Sequence, residues 1–119
     1  MNSYKQLRLI RASIAQLPCL RGDIDFDIAL EIGYFEQLGT PLTLKQLLLL
    51  QIAADATVRR HLDRLVREGV IIKITPARDH RVVHFTLGSE IKGCFDQCLR
   101  TIHSTLCENC GECPIANAG

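Results

Sequence analysis

The stretch LKQLLLLQIAADATVRRHLDRLVREGVIIKIT, residues 44–75, constrains the fold more than any other part of the chain. Its hydrophobic period changes once. Through ATVRRHLDRLVREG, Val58, Leu62 and Leu65 recur at helical spacing, with Arg59, Arg60, Asp63 and Arg67 on the opposite side. Beyond Gly69 the run VIIKIT is short and β-branched, which is strand chemistry. Thr43 is placed to cap the apolar helix LKQLLLLQ, and IAAD leaves room only for a tight turn before the arginine-bearing helix. The four consecutive leucines 47–50 are expected to lie in a buried short helix.

PARDHR, with Pro76 and Asp79, reads as a turn, and VVHFT as a second strand. Two tightly joined short helices followed by a hairpin make a winged helix-turn-helix. The predicted class is mainly α with a small β-hairpin wing (α+β), flanked by N- and C-terminal helices. Leu7, Ile10, Ile14 and Leu17 place a first helix before Pro18. Asp23 or Asp25 can cap a second helix running to about Leu38, with Ile28, Ile32 and Phe35 on one face. From Ser89 helical spacing returns through Ile91, Phe95, Cys98, Ile102 and Leu106. With 119 residues, a single domain is expected. Its parts are an N-terminal dimerisation helix (1–20), the winged core (21–88), a C-terminal helix (89–106) and a cysteine-rich tail (107–119).

Residues Pro41 to Gly88 resemble the winged-helix domain of the MarR family of bacterial transcription regulators. The resemblance rests on ADATVRRHLDRLVREGVI and on the wing DHRVVHFTLGSE, whose Asp79 and Arg81 fit the family's D-x-R pattern. It implies a homodimer held by the terminal helices, each protomer placing one recognition helix in a major groove of double-stranded DNA. The cysteine tail is foreign to that pattern.

Charge agrees with a polyanion-binding face. From Asp55 to Arg81 there are seven Arg/Lys against four acids, although the whole chain carries only +1. The N-terminal turns of a recognition helix point into the groove, so the small Ala56 permits close approach and Thr57 can contact a base or phosphate. Arg60 is the candidate for bidentate contact with guanine. Arg59, Arg64 and Arg67 suit phosphates, as do Thr43 and Lys45 at the start of the preceding helix. On the wing, Arg78, His80 and Arg81 can reach the minor groove or flanking backbone. The plainer alternative pairs Arg59 with Asp63, or Asp63 with Arg67, on a solvated face.

The chain ends CENCGECPIANAG, with Cys107, Cys110 and Cys113 each two residues apart. Lys5, Arg8 and Arg11 interrupt the N-terminal apolar residues, so this start is neither a signal peptide nor a membrane span. A cytoplasmic protein is therefore expected, and there six cysteines point to metal or redox chemistry rather than disulfides. An iron–sulfur cluster is the first expectation and zinc the alternative. Either needs a fourth ligand: Cys98 first, then Cys94 or His103, or a group from a second subunit. Cys19, beside Pro18, is expected to be buried. His61, His80, His84 and His103 have no evident nucleophile partner, so no enzyme is expected. The competing reading is a winged-helix protein-interaction module with a metal or iron–sulfur site acting in iron handling. It resembles the small partners of bacterial ferrous-iron transporters, and an exposed residue among leucines 47–50 would favour it.

Overall fold

The computed structural model describes residues 3–75 and 82–107. In chain order the elements are α1 (Ser3–Ala15), α2 (Asp23–Gln37), α3 (Leu44–Leu49), α4 (Asp55–Arg67), β1 (Ile71–Ile74), β2 (His84–Leu87) and α5 (Ser89–Cys107). They fall into two compact units, one formed by the elements between Cys19 and Lys92, the other by α1 and by α5 from Gly93 onward. The winged core thus extends slightly past residues 21–88. The first turn of α5 belongs to it because Ile91 is buried and Lys92 pairs with Glu36.

Periodicity explains what the core contains. Ile28, Ala29 and Ile32 of α2, Leu47 of α3, and Val58, Leu62 and Leu65 of α4 are buried with Ile71, Phe85, Leu87 and Ile91. Each of these side chains except the small Ala29 contributes roughly 1.5–3 kcal/mol by leaving water. The strands pair antiparallel, Ile71 opposite Leu87 and Ile74 opposite His84. An isolated bridge joins Thr43 to His84, and the Phe85 amide donates to the Leu42 carbonyl at 2.9 Å. The expected turn PARDHR lies outside the described residues.

Helix ends follow local chemistry. Thr43 and Gln46 form a reciprocal capping box, the Gln46 amide donating to Thr43 Oγ1 and the Thr43 amide to Gln46 Oε1. Gly69, at φ +78°, closes α4, and the Val70 amide returns to the Leu65 carbonyl at 2.9 Å. Gly88 runs against this corner. A Cβ there would sit 2.7 Å from the Gly69 carbonyl oxygen, so only glycine lets β2 pass to α5.

Three expectations change. Neither Asp23 nor Asp25 caps α2; its N-cap is Gly22, with no side-chain bond, and Asp25 is turned into the core. Of leucines 47–50 only Leu47 is fully buried, while Leu49 is 71% exposed and Leu50 also exposed. A helix of six residues has fewer than two turns, so part of any leucine run must face outward. Cys19 is exposed, at φ +68°.

The other unit contains α1 and most of α5. Although α1 carries an apolar stripe, none of its residues is buried, and Tyr4 and Leu7 are largely exposed. Leu99 and Leu106 of α5 are likewise open to solvent. Among the described residues no helix is long and apolar enough to cross a membrane.

Candidate nucleic-acid interface

Helix α4 is built so that its two sides do different work. Val58, Leu62 and Leu65 are buried, which forces Arg59, Arg60, Asp63 and Arg67 outward. Ala56, at its N-terminus, is exposed and Thr57 half-buried. The i,i+4 pairing of Arg59 or Arg67 with Asp63 does not form. Among the described residues Arg59, Arg60, Arg67 and Lys45 have no ion-pair or hydrogen-bond partner. A shallow groove of about 440 Å³ beside α4 is lined by Lys45, Leu48, Leu49, Gln51, Asp55 and Arg59. It brings the cation at the start of α3 and the first arginine of α4 to one surface.

Arg64 departs from this pattern. Expected to meet phosphate, it is turned inward, its side chain only 15% exposed. Its Nη2 donates to Asp25 Oδ1 at 2.6 Å and Oδ2 at 2.5 Å, and its Nη1 reaches Glu68 at 3.3 Å. Asp25 is fully buried and also bonds His61 Nδ1 at 2.7 Å and the Arg21 amide at 2.7 Å. Burial by itself pushes the Asp25 carboxyl up. The Arg64 guanidinium, the Arg21 amide and His61 outweigh it and hold the group below the ordinary carboxylate range. The bond to Asp25 raises Arg64 in turn, against its own desolvation. Sequence reasoning missed this cluster, yet Asp25 stands three residues before Ile28 and seven before Ile32. A carboxylate on the buried stripe of a helix demands a cation.

Thr43, another expected contact, has its hydroxyl engaged in the capping box. Arg78, His80 and Arg81 lie outside the described residues, as do Cys110 and Cys113. Cys94, Cys98 and Cys107 are half-buried on α5 and form no disulfide among the described residues, and burial raises the Cys98 thiol. No cluster of three or more metal-ligating side chains occurs among the described residues.

No protein-family model matches the sequence, and a search of curated proteins returns no match. Solved structures do match. A mutant MarR from E. coli complexed with operator DNA superposes with a TM-score of 0.59 at 21% identity, covering 88% of this chain and 71% of that one. Transcriptional regulator Tm0710 from Thermotoga maritima gives 0.66 at 18% identity, over 87% and 68%. A mutant MepR from S. aureus bound to an oligodeoxyribonucleotide gives 0.64 at 16% identity, over 98% and 82%. The fold is that of MarR-family winged-helix regulators. In that fold α3 and α4 are the helix-turn-helix, and the hairpin β1–β2 is the stem of the wing.

Proposed function

We propose that this chain is a sequence-specific, DNA-binding transcription regulator acting as a homodimer. The observation that carries the reading is the sorting of cations on α4. The one arginine with a buried acid to neutralise is spent on it, while Arg59, Arg60 and Arg67 project without partners, Lys45 nearby. A solvated helix face of structural purpose would pair them with Asp63 at i,i+4. Exposed apolar residues on α1 and α5 support the homodimer, since Tyr4, Leu7, Leu99 and Leu106 all stand open to solvent among the described residues. Arg60→Ala is expected to weaken specific binding by roughly 1–3 kcal/mol and to relax selection at one base pair. Gel-shift titrations against randomised sites, showing unchanged affinity and selection, would falsify that role.

The cysteine tail is the sensing part of the proposal, holding an iron–sulfur cluster or zinc. Because α5 is helical through Cys107, Cys98 lies nine residues and about 13 Å up the axis. Ligands of one zinc ion sit within about 4 Å of each other at Zn–S distances near 2.3 Å. Cys98 therefore does not share a centre with Cys107 inside one intact helix, and Cys94 is farther still. His103, one turn from Cys107 on the same face, replaces Cys98 as fourth ligand. With Cys110 and Cys113 this makes a one-histidine, three-cysteine set, a combination that suits structural zinc. Anaerobically purified protein is expected to carry one centre per chain. Zinc would leave it colourless, whereas iron–sulfur would make it brown and bleach in air. Replacing Cys107, Cys110 and Cys113 with serine should remove the metal and leave the winged helix folded; finding neither metal in the parent protein ends the idea.

One observation favours the protein-interaction alternative: Leu49 and Leu50 are exposed at the C-terminal end of α3. A chain of that kind would show no salt-dependent affinity for duplex DNA.

A further inference from the structure

The apolar contacts of α4 are non-directional and tolerate a small roll of the helix about its axis. Reading bases does not tolerate it. With side-chain tips 5–6 Å from the axis, a roll of about 20° moves them by about 2 Å, enough to break a bidentate contact. Something directional must set the roll, and the directional contacts of α4 converge on one atom group. Asp25 takes His61 at 2.7 Å and Arg64 at 2.5–2.6 Å, two α4 side chains three residues apart. Glu68, four residues on along the same flank, accepts from Arg64 at 3.3 Å and from the Arg21 guanidinium at 3.0 Å. The Arg21 amide closes the circuit by donating to Asp25 at 2.7 Å. His61 and Arg64 on one flank of α4, with Glu68 at its C-cap, are thereby tied to Asp25 in the first turn of α2 and to Arg21 just before it.

We propose that Asp25 is the positioning residue of the DNA-reading surface, fixing through His61 and Arg64 the angle at which α4 presents Arg60 and its neighbours. Asp25 is fully buried and does not meet DNA; Arg64, although an arginine of the recognition helix, acts inside the protein. This rests on the DNA-binding reading above, and the parent protein tests that reading first by binding duplex DNA or failing to.

The test is the double variant Asp25→Leu with Arg64→Leu. Replacing a buried ion pair by apolar side chains commonly keeps a protein folded, so stability and DNA reading can be separated. The variant is expected to melt near the parent temperature and to bind non-specific duplex as the parent does, with the same dependence on salt. Its preference for the selected operator over non-specific duplex should fall about tenfold, the effect of misplacing one bidentate contact. Asp25→Asn, which keeps the shape but loses the charge and leaves His61 and Arg64 to share one neutral acceptor, should lose that preference less than the double variant, by several-fold. The proposal is overturned if the folded double variant discriminates as well as the parent. It is equally overturned if the salt dependence weakens by one phosphate per chain, since Arg64 would then be a DNA contact. If the leucine pair does not fold, Asp25→Asn decides alone: parent-like discrimination in a variant that has lost the charge overturns the proposal, and a several-fold loss supports it.

Discussion

Replacing Asp25 by alanine is expected to cost about 3 kcal/mol of folding free energy at neutral pH, measured as a shift of the urea midpoint at constant slope. Truncating one member of a buried ion pair costs about 3–5 kcal/mol, because the partner's charge is left desolvated. The lower figure applies because Arg64 keeps Glu68 and is 15% exposed, so part of its charge finds another partner. Domains are stable by about 5–15 kcal/mol, so one side chain accounts for a large share of the whole. The loss should also depend on pH. The folded state holds the Asp25 carboxyl below its ordinary value, so it stays ionised in the native protein at a pH where the unfolded chain takes up a proton. Its contribution is complete above the unfolded pKa, near 3.9, and disappears as pH falls through the lower folded value. Parent and Asp25→Ala curves should therefore converge in strong acid, separate as pH rises through the folded value, and run parallel above about pH 5. A midpoint shift below about 0.5 kcal/mol at pH 7 would place Asp25 among ordinary surface substitutions and remove its structural role.

Much of this fold was legible because its elements have clean periods. Val58, Leu62 and Leu65 marked the inner side of α4, and the change to β-branched residues after Gly69 marked the hairpin. Thr43 stands where a cap is needed and is one, through Gln46. Failures came where one residue type has two physical uses. Arg64 has the spacing of a solvent-side arginine only if its neighbour across the core is ignored; the carboxylate that claims it is 39 residues away. Asp25 looked like a helix cap because acids gather at helix starts, yet its position relative to Ile28 and Ile32 put it on the buried stripe. A run of four leucines suggests a wholly buried helix, whereas a six-residue helix offers the core only one narrow face and leaves Leu49 and Leu50 outside. Cys98 was a reasonable ligand only while the helix was free to end before Cys107.

Operator affinity is expected to fall about a thousandfold between 50 and 200 mM salt. Each phosphate neutralised by Lys or Arg releases counterions, and log Kobs falls with log salt at about −0.9 per contact. Among the described residues the unpartnered cations facing outward from α3 and α4 are Lys45, Arg59, Arg60 and Arg67. Assigning Arg60 to a base leaves three phosphate contacts per chain among the described residues, and a two-fold dimer doubles them, so these residues contribute a slope of about −5. Counting Arg64 as a phosphate contact would steepen it by about 2, and a monomer would halve it to about −3, so one titration series tests both the inward turn of Arg64 and the dimer. Arg59→Ala should flatten the dimer's slope by about 2 without changing which sequence is preferred, while Arg60→Ala should do the reverse. A parent slope flatter than about −2 would leave the outward arginines of α4 without a polyanion to meet, and the exposed Leu49 and Leu50 would then point to a protein partner instead.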